Sequence, residues 1–222
     1  MLYRHEIKHL ISPGDAVAIQ SGLRAVARLD PHAGERGYYR VRSLYFDDPM
    51  DSALHEKLDG VNIRRKFRFR YYDGDLSYLA LECKMKRDGV GIKPQMQLSV
   101  EEVSRILHGD TAWMVTSGQP LLLMLYTEMK LRHLRPKTVV DYLRIPYLYD
   151  PGNVRVTIDW NIRTGAPGTF LDPDGLTLPT GDAMLLEVKW DEYLPGIIRD
   201  AVALKSRQPT AFSKYAASRA YF

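Results

Sequence analysis

The segment from residue 62 to residue 72 most constrains how this chain can fold, because charged and apolar residues alternate along it. Its sequence is Asn-Ile-Arg-Arg-Lys-Phe-Arg-Phe-Arg-Tyr-Tyr. Successive side chains of a β-strand point to opposite faces, so four cations share one face and most of the apolar and aromatic residues share the other. Residues 77–87 repeat the alternation, and Asp73-Gly74 between the two runs predicts a hairpin. The pattern indicates an antiparallel sheet with one charged face.

The rest of the chain predicts a mixed architecture. Ser12-Pro13 and the Ser99-to-Glu102 capping box mark helix N-termini. We predict further strands over residues 2–11, 38–46, 91–98, 137–149, 153–162 and 183–190. We predict helices over residues 13–29, 50–58, 99–108, 119–133, 195–205 and 210–220. Long strands joined by hairpins, with helices in blocks, are typical of α+β proteins. We therefore expect about eight antiparallel strands forming a β-barrel, with helices packed on the outside, in a single domain spanning residues 1–222.

Composition narrows the class of protein without fixing its function. The chain has 222 residues, a net charge of +4 and a sequence pI of about 9.0, so it is only mildly basic. A single cysteine, Cys83, allows no internal disulfide, which fits a reducing compartment. The sequence shows neither a signal region nor a run of about 18 apolar residues that could span a membrane. We therefore expect a soluble, cytoplasmic protein.

Charged residues recur on single faces of several predicted strands. One such strand is usually the solvated face of a sheet. Here arginine predominates, and arginine suits bidentate contacts with phosphate. Inside a closed sheet such charges need a ligand or each other, because unpaired buried charge is costly. The acidic residues among the cations either form ion pairs or hold Mg²⁺ or Mn²⁺. These acidic residues are Glu6, Glu82, Asp159 and Glu187.

Eight segments in order along the chain carry a family resemblance. They are residues 3–8, 43–47, 68–72, 81–84, 142–146, 154–159, 186–189 and 212–215. Together they resemble the catalytic domain of the vacuolar transporter chaperone (VTC) polyphosphate polymerases. That domain is one of the triphosphate tunnel metalloenzymes, which also include CYTH phosphatases and RNA triphosphatases. The resemblance implies that the barrel forms a tunnel.

The resemblance also implies a reaction and a set of site residues. The γ-phosphoryl of ATP would pass to a growing polyphosphate chain, with Mn²⁺ or Mg²⁺ as cofactor. Glu187 would carry the metal, and Ser213 and Lys214 would add a phosphate contact. The residues implied to bind the triphosphate and the chain are Lys8, Arg68, Arg70, Lys84, Arg144 and Arg155, joined by Lys93. The charged faces add Arg40, Arg42, Lys86 and Lys189 as candidate phosphate-binding residues and Glu6 as a second candidate metal ligand.

Two other functions stay open. The tunnel superfamily carries an ExExK motif near its N-terminus, but here Arg4 replaces the first glutamate. This departure favours the polymerase over a triphosphatase that hydrolyses triphosphate or nucleoside triphosphates. The other alternative is a non-enzymatic module that binds polyanions or RNA. Phe67, Phe69 and Tyr71 alternate away from the arginines, so we expect them in the core rather than stacked on bases. The expected partners are ATP and polyphosphate, with no nucleic acid, no membrane segment and no identifiable protein partner.

Overall fold

The computed structural model describes residues 4–58, 64–87, 90–204 and 208–220. The strands are β1 (His5–Ile11), β2 (Arg28–Leu29), β3 (Tyr39–Asp47), β4 (Arg64–Tyr72), β5 (Asp75–Arg87), β6 (Val90–Ile92), β7 (Gln95–Leu98), β8 (Arg135–Tyr149), β9 (Val154–Gly165), β10 (Leu178–Pro179) and β11 (Met184–Trp190). The α-helices are α1 (Pro13–Val26), α2 (Ser52–Leu58), α3 (Val100–Leu107), α4 (Trp113–Thr116), α5 (Pro120–Leu131), α6 (Gly196–Ala201) and α7 (Lys214–Arg219). Within these described residues, none of the helices has the length and apolar character needed to cross a membrane.

The strands join in one sheet, in the order β1-β11-β9-β8-β3-β4-β5-β6. β2 pairs with β8, β10 with β9, and β7 with β5. The predicted α+β class with a large antiparallel sheet is confirmed. Among the described strands, hydrogen bonds do not close the sheet into a ring. One edge of β5 is shared by two short strands, since β6 pairs with its last residues and β7 with residues 79–82.

The chain divides into two compact units. Unit 1 consists of Met1–Arg40, Tyr142–Arg163 and Pro179–Ala217. Unit 2 consists of Val41–Asp141, Thr164–Leu178 and Ser218–Phe222. Each unit therefore combines segments that are distant in sequence, and strands β8 and β9 contribute residues to both.

Each unit has its own apolar core. In unit 1, Leu23 of α1 and Ile198 of α6 are buried with Ile158 and Leu186 of the sheet. In unit 2, the apolar face of the 64–87 hairpin packs with residues of α3 and α5. The buried members from these four elements are Phe67, Phe69, Tyr71, Leu79, Leu81, Cys83, Val103, Ile106, Leu121, Leu122 and Leu125. The prediction that these aromatic residues form core is confirmed.

Local sequence signals explain most element boundaries. Ser12 and Asp15 form a reciprocal capping box at the start of α1. Asp73 and Gly74 have φ angles of 49° and 78°, as a tight hairpin turn requires. The strand predicted over residues 91–98 is interrupted, because Lys93-Pro94 separates β6 from β7 and proline cannot donate to a ladder. The helix predicted to reach residue 29 ends at Val26, since residues 28–29 pair with β8.

Candidate functional site

In unit 1, charged side chains form rows across neighbouring strands. The register places Glu6 opposite Lys189, and Lys189 opposite Arg155. The next row on the same face places Lys8 opposite Glu187, and Glu187 opposite Thr157. Directly opposed residues in an antiparallel sheet have Cβ atoms about 4.5–5.5 Å apart, so the charges are near neighbours.

Two lysines and two glutamates of these rows form a closed ring of ion pairs, here called the ion square. Lys8 Nζ lies 2.8 Å from Glu6 Oε1 and 3.2 Å from Glu187 Oε2. Lys189 Nζ lies 2.8 Å from Glu187 Oε1 and 3.3 Å from Glu6 Oε2. Burial raises the pKa of the Glu187 carboxyl, but Lys189, Lys8 and Arg144 together hold it well below its usual range. Glu187 is therefore ionised at neutral pH.

Beside the ion square, one buried carboxylate holds two further cations. Asp159 is fully buried, and its oxygens lie 2.7 and 2.8 Å from Nε and Nη2 of Arg144. Lys214 of α7 approaches the same carboxylate at 2.5 Å and lies 4.6 Å from the centre of the Tyr142 ring. Burial raises the pKa of Asp159, but Arg144 and Lys214 outweigh it and lower that pKa below its usual value. These contacts fix two predicted phosphate-binding cations in place.

Arg155 occupies a separate position in unit 1. Its Nη2 donates to Asp30 Oδ2 at 3.1 Å and to the Tyr39 hydroxyl at 2.8 Å. About a third of the side chain is exposed, and its buried Nε has no hydrogen-bond partner. The guanidinium is thus oriented by two neighbours and keeps donor capacity for a ligand.

In unit 2, three predicted cations surround one carboxylate, forming what is here called the Glu82 cluster. Glu82 Oε2 lies 2.7 Å from Arg68 Nε and 3.8 Å from Arg70 Nη1, while Lys93 Nζ lies 2.9 Å from Oε1. The Tyr45 hydroxyl also accepts from Arg68, and Ser43 Oγ accepts from Arg70. Burial raises the pKa of Glu82, but Arg70, Arg68 and Lys93 lower it to about 2. Among these four side chains, three positive charges face one negative charge.

Arg42 is placed differently from the other predicted cations. It is almost completely buried, and it lies 3.2 Å from Asp141. It also donates to the carbonyl oxygens of Thr169 and Pro173, at 2.7 and 3.0 Å. These acceptors belong to the segment between β9 and β10. The contacts favour a role in holding that segment over a role in binding phosphate.

The remaining predicted residues have varied surroundings. Lys84 is exposed on β5, opposite Lys66 of β4, and Arg40 is half-buried on β3. Ser213 Oγ accepts from the backbone N–H of Ala216 at 3.3 Å, at the start of α7. Lys86 lies on β5, but its side chain is outside the described part of the structure.

Comparison with known proteins decides the family. The VTC domain profile matches residues 3–222. The chain belongs to the VTC domain family. The resemblance read from the sequence segments is therefore confirmed. No curated protein matches this VTC domain.

Two solved structures share the fold of this VTC domain. One is HpAC1 from Hippeastrum, named for adenylyl cyclase and described as having a dominant triphosphatase activity. It is 14% identical, with a TM-score of 0.60 over 99% of this chain and 96% of that chain. The other is the PH1012 protein from Pyrococcus horikoshii OT3. It is 12% identical, with a TM-score of 0.53 over 96% of this chain and 97% of that chain. At these identities the likeness establishes the fold alone.

In unit 1 of the VTC domain, oxygen atoms of Glu6, Glu187 and Thr157 lie on one face of the sheet. Glu6 and Glu187 contact the same two ammonium groups, those of Lys8 and Lys189, so one cation can contact both carboxylates at once. Thr157, opposite Glu187, is buried and its hydroxyl has no hydrogen-bond partner. In the described residues, no three His, Cys, Asp or Glu side chains gather as a metal site. The residues fit a metal of the Mg²⁺ kind, which takes one or two carboxylates and completes its shell with water and substrate phosphate.

Sequence reasoning did not distinguish the roles of three residues. Glu82 and Asp159 were expected to be either ion-pair partners or metal ligands, and the structure places each among cations. Thr157 carried no signal, because a threonine in a strand is ordinary.

A cavity of about 320 Å³ in unit 2 lies elsewhere, and none of the predicted residues lines it. Its lining is Gly109, Thr111, Met129, Lys130, His133, Leu134 and Arg135.

Proposed function

We propose that this VTC domain is an ATP-dependent polyphosphate polymerase. It moves the γ-phosphoryl of ATP onto the end of a polyphosphate chain and releases ADP. The observation that carries the proposal is the Glu82 cluster, in which three cations, Arg68, Arg70 and Lys93, gather around one carboxylate. A cationic surplus on ordered side chains is what a polyanionic substrate needs.

Phosphoryl transfer requires little covalent chemistry from the protein. Most of the catalysis comes from positioning the reacting groups and from neutralising the charge on the phosphate oxygens. Arg68 and Arg70 stand two residues apart on one strand face, so their planar forks can bind phosphate oxygens side by side. Glu82 limits their movement before substrate arrives, which reduces the entropy lost on binding.

Unit 1 contains further residues that we propose to bind phosphate, and it contains the proposed metal ligands. The proposed phosphate-binding residues of unit 1 are Lys8, Arg144, Arg155, Lys189, Ser213 and Lys214. Asp159 holds Arg144 and Lys214 in place, as Glu82 does for the cations of unit 2. Glu187, with Glu6, would hold a divalent metal, which neutralises phosphate charge when bound. The remaining chemistry in this proposal is binding and orientation by the chain's own cations.

A triphosphatase is the second candidate function. It would use the same cations and deliver the γ-phosphoryl to water instead of to a phosphate chain. The observation that favours it is the fold shared with HpAC1, which is described as having a dominant triphosphatase activity. An RNA-binding module has less support, because Phe67, Phe69 and Tyr71 are buried in the core and have no face free for stacking on bases.

The products formed from ATP distinguish these functions. Purified protein is incubated with ATP and Mn²⁺, and ADP, free phosphate and long-chain polyphosphate are measured together. A polymerase forms ADP and polyphosphate with little free phosphate. A triphosphatase forms free phosphate in proportion to ADP and no polymer. If neither product forms and polyphosphate is merely retained, the domain is a binding module.

A variant pair tests whether the Glu82 cluster carries the activity. Arg70→Ala removes a cation that contacts both Glu82 and Ser43, so we expect polymer formation to fall by at least 100-fold. Arg65→Ala is the matched control, since Arg65 lies on the same strand but on the opposite face, paired with Glu128. It should keep most of the activity. Equal rates for the two variants, with both folded by circular dichroism, would exclude this cluster from the reaction.

A further inference from the structure

The ion square uses every oxygen of its two carboxylates. Glu6 Oε1 and Glu187 Oε2 contact Lys8, while Glu6 Oε2 and Glu187 Oε1 contact Lys189. The two lysines thus occupy the space in which a metal would contact both glutamates. A divalent ion placed there would meet two ammonium groups at close range before it gained any ligand. Like charges a few ångströms apart repel strongly at a partly buried site.

The square is electrically neutral, with two positive and two negative charges. Adding a divalent ion would give it a net charge of +2 unless an ammonium group leaves. Both lysines are long and partly exposed, with side-chain exposures of 23% for Lys8 and 33% for Lys189. Each can therefore move its ammonium group to a new partner without disturbing the strands.

Lys189 is the better placed of the two to move. It is the more exposed, and it lies in register with Arg155, a partly exposed cation on the neighbouring strand. A phosphate bound at this row would attract the ammonium group of Lys189 as well as the guanidinium of Arg155. Its departure would remove the ammonium group that contacts one oxygen of Glu6 and one of Glu187. Glu187 lies opposite Thr157, whose buried hydroxyl has no hydrogen-bond partner.

We propose that Lys189 is a resident cation that blocks the metal site until an anionic phosphate ligand draws it away, so that metal and phosphate bind together. The inference rests on the proposed function in that it concerns the same metal and the same phosphates. It adds an order to their binding, because the phosphate changes the site that the metal enters. By thermodynamic linkage, the metal must then raise the affinity for phosphate by the same factor.

The first test measures Mn²⁺ binding without any turnover. Free Mn²⁺ is followed by electron paramagnetic resonance as protein is added, in the absence of phosphate compounds. We expect wild type to bind Mn²⁺ weakly and Lys189→Met to bind it at least tenfold more tightly. Arg155→Met is the matched control, since it removes a neighbouring cation whose guanidinium contacts Asp30 and Tyr39, and it should gain much less. Adding Glu187→Gln to the Lys189→Met variant should abolish the gain.

The second test measures the coupling between metal and phosphate. Binding of a non-hydrolysable ATP analogue is titrated by calorimetry with and without Mn²⁺. In wild type the metal should raise the affinity by at least tenfold, and in Lys189→Met this factor should be smaller, because only the direct attraction between metal and phosphate is left. Equal Mn²⁺ affinities for wild type and Lys189→Met, with both proteins folded, would overturn the inference. That result is distinct from failure of the proposed function, which is decided by the products formed from ATP.

Discussion

At the scale of single residues, the unusual groups are carboxylates that each order several cations. Glu82 lies among Arg68, Arg70 and Lys93, and Asp159 binds Arg144 and Lys214. A buried carboxylate is costly to desolvate, and only close, well-oriented cations offset that cost. Such residues hold the cations around them in one arrangement.

The pH dependence of stability should reveal the Glu82 cluster. The pKa of Glu82 is lowered to about 2 in the folded protein. Its contribution is therefore fully present above the unfolded value near 4.5 and is lost as pH falls towards 2. We expect the Glu82→Gln variant to be less stable than wild type at pH 7, by up to about 3 kcal/mol, and the difference to shrink below pH 4.5.

Urea unfolding at several pH values between 2 and 7 measures this difference. The exposed Glu35 provides the control, since Glu35→Gln should follow the wild-type curve. A constant difference between Glu82→Gln and wild type over the whole range would show that ionisation of Glu82 adds nothing to stability.

The sequence identified these cations but not the carboxylate each one meets. Alternation along a strand assigns Arg68 and Arg70 to one face, because the side-chain period is two. It does not identify the residue on the neighbouring strand, which depends on register. Arg42 illustrates the limit. It alternates like the phosphate-binding candidates, yet it is buried against carbonyl oxygens of a segment more than 120 residues away.

At the scale of elements, the hairpin between β4 and β5 follows directly from local chemistry. Asp73 and Gly74 both adopt positive φ angles, which aspartate tolerates and glycine favours. The turn joins the two strands, and an irregularity between Arg70 and Tyr72 then shifts their register. Beyond that shift, Arg68 lies opposite Glu82, so the turn and the irregularity together set the geometry of the Glu82 cluster.

A pair of glycine substitutions tests this turn. Gly74 has a φ of 78°, and a Cβ added there would lie 3.3 Å from the Pro173 Cβ. Gly74→Ala should therefore cost about 1–2 kcal/mol of unfolding free energy. Gly14 lies in the first turn of α1, where an added Cβ would lie 3.8 Å from Ser12 Oγ, an ordinary van der Waals contact. Gly14→Ala should therefore be neutral or stabilising by up to about 1 kcal/mol. Urea denaturation followed by circular dichroism measures both, and a neutral Gly74→Ala would exclude strain at the turn.

Elements with strong local signals were predicted well, and those set by partners were not. The N-cap at Ser12 and the capping box at Ser99 mark the starts of α1 and α3 as predicted. Very short strands carry no comparable local signal in the sequence. Residues 28–29 were predicted as helix but pair with β8, because a two-residue strand exists only through its partner. Residues 91–98 were predicted as one strand, although Pro94 lies between β6 and β7 and cannot donate to a ladder.

At the scale of the whole molecule, the chain builds two cores from interleaved segments. Unit 2 takes most of its core from residues 41–141, but it also requires residues 164–178. The alternating patterns predicted which faces are apolar. They could not predict which distant segments share a core, because apolar contact is non-directional and many pairings bury similar area.

Phe170 is the residue through which the distant 164–178 segment enters the core of unit 2. Its ring is fully buried, with its centre 5.2 Å from that of Tyr71 and 6.2 Å from that of Phe69. The Tyr71 hydroxyl donates to the Phe170 carbonyl oxygen at 2.7 Å. Phe170→Ala would remove a buried ring and leave a cavity, at a cost of about 3–5 kcal/mol. Phe170→Leu should cost less, because most of the volume is kept.

Leu176 provides the matched control, since it belongs to the same segment but is 76% exposed. Leu176→Ala should change the unfolding free energy by no more than about 0.5 kcal/mol. Chemical denaturation followed by intrinsic fluorescence and circular dichroism measures all three variants. If Phe170→Ala were as stable as Leu176→Ala, the 164–178 segment would lie on the surface of unit 2 without contributing to the stability of its core. A large loss of unfolding free energy in Phe170→Ala, a smaller loss in Phe170→Leu and none in Leu176→Ala would identify the 164–178 segment as part of the core of unit 2. That unit also contains the Glu82 cluster.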